Sequence, residues 1–325
     1  MKALVCDKWE LPSALKVGDL PKPSPGPKEV LIKIKACGVN FPDVLIVQGL
    51  YQFRPPFPFS PGGEISGEIE AVGEEVKHLK PGQEVVSMIG WGGMAEYVVA
   101  NKNVVFPKPP GMPHTVASAF LMVYGTSYHA LKDRAKLKEG ETLLVLGASG
   151  GVGLAAVELG KLMGAKVIAA ASTDEKLEIC KNYGADEVIN YSHENLKERI
   201  KELTDGKGAD VIYDPVGGDY SEQALRATAW KGRFLVVGFA AGEIPKIPLN
   251  LALLKGCDIV GVFWGSFAQR NPNGLMQNTM QLIQWYQNGD IKPHIHGTYS
   301  LDEASNAIMA LMNREVSGKV VIEIS

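Results

Sequence analysis

The sequence predicts an α/β protein in which a doubly wound parallel sheet is joined to a strand-rich domain built from both ends of the chain. Three observations carry that expectation. Up to about residue 120, short runs of strand character are separated by Pro- and Gly-rich turns. From about Glu141, fully apolar strands alternate with helical stretches, the pattern of a parallel sheet covered on both faces. A turn holding four glycines, Gly147, Gly150, Gly151 and Gly153, separates the first of those strands from its helix.

Taken in order, residues 29–36, 65–72 and 83–89 read as strands, bounded by turns at 21–27, 61–63 and 80–82. The apolar strands of the second region fall at 142–146, 166–171, 187–190, 210–213, 233–237 and 258–262. Helices fit between them at 152–163, 175–183, 196–203 and 220–229. Six strands around a glycine-rich turn suit a doubly wound domain. The tail has helices at 275–288 and 301–313 and a strand at 319–324, and is too short to stand alone. The expected division is therefore 1–121, 122–262 and 263–325, the last segment completing the first.

Composition narrows the function. A chain of 325 residues suits two domains of roughly 150 residues each. Lys+Arg number 33 against 36 Asp+Glu, and a net charge of −3 offers no bulk attraction to nucleic acid. No apolar run reaches the roughly 20 residues of a membrane span. Asp7 interrupts the start before a signal-peptide core could form, so the expected location is cytoplasmic, without a membrane partner. Cys6, Cys37, Cys180 and Cys257 are too scattered for a disulfide framework or a Cys-rich zinc cluster.

The run Gly147-Ala148-Ser149-Gly150-Gly151-Val152-Gly153 follows a strand and opens a helix. Small residues there let backbone N–H groups approach a pyrophosphate at the positive end of the helix. Gly153 permits close packing of helix on strand, and the next strand begins at Lys166, where a dinucleotide site requires it. An NAD site wants an acid at the end of that second strand to hold the ribose hydroxyls. The sequence there is Ala169-Ala170-Ala171-Ser172-Thr173. Ser172, Thr173 and Lys176 suit a 2′-phosphate instead. Asp174 and Glu175 read as first-turn helix residues. The expected cofactor is NADPH.

Four segments carry a wider likeness: Ala36-Cys37-Gly38-Val39-Asn40-Phe41-Pro42-Asp43, Pro61-Gly62-Gly63-Glu64-Ile65-Ser66-Gly67, the glycine turn, and Ser317-Gly318-Lys319-Val320-Val321. On these the chain resembles the medium-chain dehydrogenase/reductase superfamily, and within it the zinc-free quinone oxidoreductases related to zeta-crystallin. The resemblance implies a Rossmann cofactor domain and a GroES-like catalytic domain. Zinc alcohol dehydrogenases have a metal-binding Cys where this chain has Asn40 and a His where it has Gly63, so Glu64 alone remains of that set. No metal is expected. Without a Lewis acid for alcohol oxidation, hydride delivery to a quinone or an activated C=C bond is the natural chemistry.

Position by position, the resemblance places Asn40 and Thr126 beside the nicotinamide. It places Ser149, Gly150, Gly151 and Val152 on the pyrophosphate, and Ser172, Lys176, Tyr191 and Arg314 around the 2′-phosphate. Val216, Gly238, Phe239, Ala240, Phe263, Trp264 and Gly265 would line the ribose and nicotinamide channel. Tyr51, in a proline-bounded loop, is a candidate proton donor or a cleft wall. Aromatics such as Phe53 and Trp91 would suit a flat ring. The expected partners are a small quinone or enone and, through the apolar edge strand at 258–262, a second copy in a homodimer. An enoyl-thioester or enone reductase on the same fold, and a non-enzymatic NADPH-binding protein, are the competing readings.

Overall fold

The structure, a computed structural model, describes residues 1–325. It resolves into two units: Met1–Met122 with Pro293–Ser325, and Val123–Lys292.

The first unit is built on a seven-stranded sheet. Its order is Ile295–Ser300, Lys319–Glu323, Glu29–Gly38, Glu64–Val72, Glu84–Met88 and Val105–Pro107, with Tyr97–Asn101 pairing to Glu29–Gly38. Glu29–Gly38 is the organising strand, because it pairs antiparallel with three others. Its inward residues Val30, Ile32 and Ile34 are buried with Ile65, Ile69, Val85 and Ile322. Each such aliphatic side chain contributes about 1.5–3 kcal/mol when fully buried. The register sets Gly38 against both Glu64 and Val321. Three strand ends therefore converge on Val39 and Asn40, where the chain turns into the short helix Phe41–Ile46. Asp43 starts that helix by accepting the Asn40 N–H at 2.8 Å, a capping contact at a terminus that would otherwise leave donors unpaired.

The second unit holds six parallel strands in the order Glu187–Asn190, Lys166–Ala171, Thr142–Leu146, Ala209–Asp214, Thr228–Val236 and Asp258–Gly261. Strand order reverses between Thr142–Leu146 and Ala209–Asp214, the crevice where doubly wound sheets bind ligands. Every residue of Thr142–Leu146 is buried, which is why its sequence runs apolar without alternation. The helix expected at 220–229 stops earlier, at Asp219–Arg226, because Thr228 and Ala229 are buried and begin the next strand.

Residues 263–292 lie in the second unit, and only Pro293–Ser325 joins the first. Side-chain packing gives the reason. The helix Leu121–Tyr128 runs on into a π-helical stretch, His129–Ala135, closed by Lys136 in the left-handed conformation at φ 51°. Helices Trp264–Arg270 and Pro272–Asn288 pack on this segment. Phe267 stacks on His129 with ring centroids 4.0 Å apart, and Trp285 meets Tyr128 edge-on at 5.1 Å. Buried Asn278 accepts from Lys132 at 2.6 Å and donates to Asp133 at 2.9 Å.

Candidate functional site: a dinucleotide turn and a buried ionic cluster

In the second unit the glycine turn is built as its sequence requires. Gly147 adopts φ 57°, and a Cβ on it would stand 2.7 Å from Val216 Cγ2, so position and conformation both call for glycine. A Cβ on Gly153 would overlap the Gly147 carbonyl and lie 2.9 Å from Ala148 Cα. Gly150 precedes the helix Gly151–Leu162, whose first N–H groups have no intrahelical partner. Ser149 is buried beside it. A backbone cradle with no room for a Cβ, at the positive end of a twelve-residue helix, fits a dinucleotide pyrophosphate.

Sequence reading missed what holds this turn. Ser127 Oγ donates to the Val152 carbonyl at 2.8 Å and shares a 2.9 Å hydrogen bond with the hydroxyl of Tyr213. Tyr213 is fully buried, and burial raises its hydroxyl pKa. A phenol inside a fully buried strand needs a partner, and that was the signal available. Nearby, Asp214 accepts from Val216 N at 2.8 Å, Gly217 N at 2.9 Å and Ser221 Oγ at 2.5 Å. The segment Gly238-Phe239-Ala240 folds back on this turn, Gly238 N donating to Asp214 O and Ala240 N to Pro215 O. Val216 and residues 238–240 are thus brought together.

Trp264 packs on the helix that carries Thr126, at the preceding residue. The indole of Trp264, 8% exposed, rests on the bare Cα of Gly125, where a Cβ would meet Cε2, Cζ2 and Nε1 at 2.9 Å. Gly265 is half-buried and Phe263 is exposed.

At the end of the second strand, Ser172 and Tyr191 come together. The Ser172 carbonyl accepts from Ser192 Oγ at 2.8 Å, and Tyr191 N donates to Ala171 O. Thr173 caps the next helix by accepting the Lys176 N–H at 3.3 Å. The nearest acid, Asp174, is drawn away to accept from Asn190 Nδ2 at 2.7 Å. Tyr191 packs against Tyr220, with centroids 4.3 Å apart. Arg314 belongs to the first unit, exposed and left-handed at φ 62°.

In the first unit, Asn40 is the hub of a buried ionic cluster. Its Nδ2 donates to Glu64 Oε2 at 3.0 Å and to Gly38 O at 3.3 Å, while its Oδ1 accepts from Lys319 Nζ at 2.5 Å. Both amide hydrogens and the carbonyl are therefore committed inside the protein. Glu64, Asp43 and Lys319 are all buried. Burial raises the Glu64 pKa against the opposing pull of Lys319, and pushes Asp43 up to about 6 despite its two backbone donors. Burial lowers that of Lys319, with Glu64 and Asp43 opposing.

Tyr51 lies on the loop beyond, edge-on to Phe53 at 4.9 Å, and Phe53 approaches Trp91 at 5.7 Å. Its hydroxyl has no hydrogen-bond partner, and its pKa is raised by burial and then by the charge of Asp43.

The donor set at the position of the superfamily's zinc does not fit that ion. Both Asn40 amide hydrogens are engaged, its Oδ1 already accepts from the Lys319 ammonium, and Gly63 has no side chain. Glu64 Oε1 accepts from Met122 N at 3.0 Å, and the Lys319 ammonium stands 3.7 Å from Oε2.

A doubly wound dinucleotide sheet and a GroES-like sheet in one chain define a medium-chain dehydrogenase/reductase. Residues 26–110 match the alcohol dehydrogenase GroES-like domain, and residues 151–284 match the zinc-binding dehydrogenase family. The chain is 43% identical over 300 residues to a quinone oxidoreductase-like protein 2 homolog of Nematostella vectensis, covering 91% of this chain and 82% of the relative. Escherichia coli quinone oxidoreductase, solved in complex with NADPH, superposes with a TM-score of 0.93 at 28% identity, over 99% of this chain and 100% of that one. The CurK enoyl reductase superposes with a TM-score of 0.88 at 26% identity, over 100% and 99%. The chain belongs to the quinone oxidoreductase family of the medium-chain dehydrogenase/reductase superfamily. No helix in it is long and apolar enough to cross a membrane.

Proposed function

We propose that this chain is an NADPH-dependent, zinc-independent reductase whose acceptor is a quinone or a similarly activated small molecule. The observation that carries the reading is the end of strand Lys166–Ala171. Small hydroxyls stand where an NAD site needs an acid, and Asp174 is tied to Asn190. That arrangement favours a 2′-phosphate over a free ribose hydroxyl. The Escherichia coli relative solved with NADPH supports it.

NADPH, when bound, supplies the hydride. Gly150, Gly151 and Val152 would hold its pyrophosphate through backbone N–H groups, with Ser149 beside them. Ser172, Lys176 and Tyr191 of the second unit would hold the 2′-phosphate. Thr126 with Trp264 and its neighbours Phe263 and Gly265, and Val216 with Gly238, Phe239 and Ala240, would form the channel toward the nicotinamide. Tyr51 is the proton donor of this reading, since its hydroxyl has no internal partner to give up. Asn40 contributes a fixed wall, because neither amide hydrogen is free to bond a substrate.

The test is NADPH oxidation with a panel of small quinones, set against crotonyl-CoA and simple enones. Quinone turnover that exceeds thioester turnover supports the proposal; turnover confined to the thioester overturns it. The likeness to an enoyl reductase makes that second reading worth the comparison.

The same reading includes a cytoplasmic homodimer. The four cysteines are buried and unpaired, which suits a reducing compartment. The edge strand Asp258–Gly261 pairs on one side only, and Ile259, Leu253 and Leu254 near it are 41%, 78% and 65% exposed. An apolar edge of this kind is a template for pairing. Light scattering should give twice the chain mass, and Ile259→Lys with Leu253→Lys should give monomer.

A further inference from the structure

We infer that Lys319 is a cation built into the fold beside Asn40, which stands where the superfamily's zinc enzymes carry a metal-binding Cys, and that removing its side chain leaves a site for a small primary ammonium ion. The ammonium donates to Val39 O at 2.7 Å and to Asn40 Oδ1 at 2.5 Å, and forms an ion pair with Glu64 Oε2 at 3.7 Å. The side chains of Lys319 and Glu64 are 5% and 0% exposed, so water does not compensate either charge. Asp43 adds a second carboxylate to the same cluster, held by Asn40 N at 2.8 Å and Gly62 N at 3.0 Å. Every other partner of these carboxylates is a neutral N–H. Lys319 supplies the positive charge within ion-pair reach of Glu64.

Sheet register fixes the arrangement. Gly38 pairs with both Glu64 and Val321, so Lys319 enters from a neighbouring strand and cannot drift away. A second cation placed on Asn40 Oδ1 and Glu64 Oε2 would have to displace the ammonium. Cutting Lys319 back to Ala removes three methylenes and the ammonium group, the outline of an n-propylammonium ion, and leaves all three oxygens in place.

The experiment is urea unfolding of the full chain in a double-mutant cycle, combined with ligand shifts. Breaking one partner of a buried pair leaves a charge without compensation. Lys319→Met should therefore lower the unfolding midpoint sharply, and adding Glu64→Gln should restore at least half of the loss. Should Lys319→Met fail to fold, recovery of folded protein in the double variant counts as the same result. Lys319→Arg, which keeps the charge, should fold. Losses that add in the cycle, or failure of both Met variants to fold, would overturn the inference. Lys319→Ala should gain several degrees in Tm with n-propylammonium chloride and none with tetramethylammonium chloride at equal ionic strength. Equal responses to the two salts would remove the ammonium site. Zinc retained stoichiometrically by the wild-type chain after dialysis against zinc chloride and then buffer would refute the resident cation.

Discussion

Gly125→Ala tests the packing of the candidate nicotinamide channel by the sign of its effect. Gly125 lies inside the helix Leu121–Tyr128 and has no positive φ. At an unobstructed helical position of this kind, Ala gains about 1 kcal/mol over Gly. Here the new methyl would stand 2.9 Å from three atoms of the Trp264 indole. Carbon pairs rest at about 3.5–4.0 Å, so the ring must withdraw by roughly 0.6 Å or more. Trp264 is 8% exposed and has little room to do so. Overpacking of this type costs about 1–3 kcal/mol, which outweighs the propensity gain. The expected net result is a loss of about 1 kcal/mol, read as a lower urea midpoint at unchanged m, with a several-fold rise in KM for NADPH because Thr126 shares the displaced turn. Trp264→Phe in the Gly125→Ala background should restore part of the loss. A Gly125→Ala chain that is more stable by about 1 kcal/mol, with KM unmoved, would show that the indole does not rest on Gly125.

Other perturbations separate the remaining roles. Tyr51→Phe should lower kcat by at least about tenfold with KM for NADPH unchanged, as loss of a general acid does; an unchanged kcat makes Tyr51 a wall residue. Lys176→Ala should raise KM for NADPH by about tenfold or more, the worth of a charge-assisted hydrogen bond, and leave KM for NADH nearly as it was. Tyr213→Phe should cost about 1 kcal/mol by leaving Ser127 one partner short, and its NADPH affinity should fall while its far-UV spectrum stays wild-type. Glu141 accepts both arms of Arg233, at 2.9 and 2.5 Å. Burial opposes ionisation of its carboxyl, but the Arg233 contact wins and holds the pKa below the ordinary 4.5. A depressed carboxylate stabilises the fold above the unfolded value and loses that contribution as pH falls through the folded one. The gap in stability between wild type and Glu141→Gln should therefore be widest near pH 7 and shrink below about 4.5; a gap that grows with acid would contradict the pairing.

The parallel sheet was legible because its strands are buried on both faces, and a run such as Leu143-Leu144-Val145-Leu146 reads as strand without any periodicity. Strand boundaries at 142–146, 166–171 and 187–190 coincide with the structure for that reason. Short elements were not legible. Phe41–Ile46 is a six-residue helix with a proline in its first turn, too brief for a 3.6-residue pattern to show. The affiliation of 263–292 was hidden as well, since it depends on contacts such as Phe267 on His129 between residues far apart in sequence. At the candidate site, the glycine turn announced itself through residue type, whereas Lys319 did not. A lone lysine reads as surface, and only the pairing of its strand with Glu29–Gly38 carries it into the interior beside Glu64. For Asn40 the sequence could not reveal that both amide hydrogens and the carbonyl are engaged by Gly38, Glu64 and Lys319.

The organising strand Glu29–Gly38 has a consequence for how the chain is made. It finds one of its partners in Lys319–Glu323, and the bond from Lys319 to Asn40 spans 279 residues. During synthesis from the N-terminus, Asp43 and Glu64 leave the ribosome long before the ammonium that pairs with Glu64. All of Val123–Lys292 emerges in between, with a contiguous parallel sheet it can close on its own. The second unit is thus free to fold first. The first must wait as an unfinished sheet with two carboxylates still in water, and its closure, a long-range pairing of the slow kind, coincides with the arrival of Lys319.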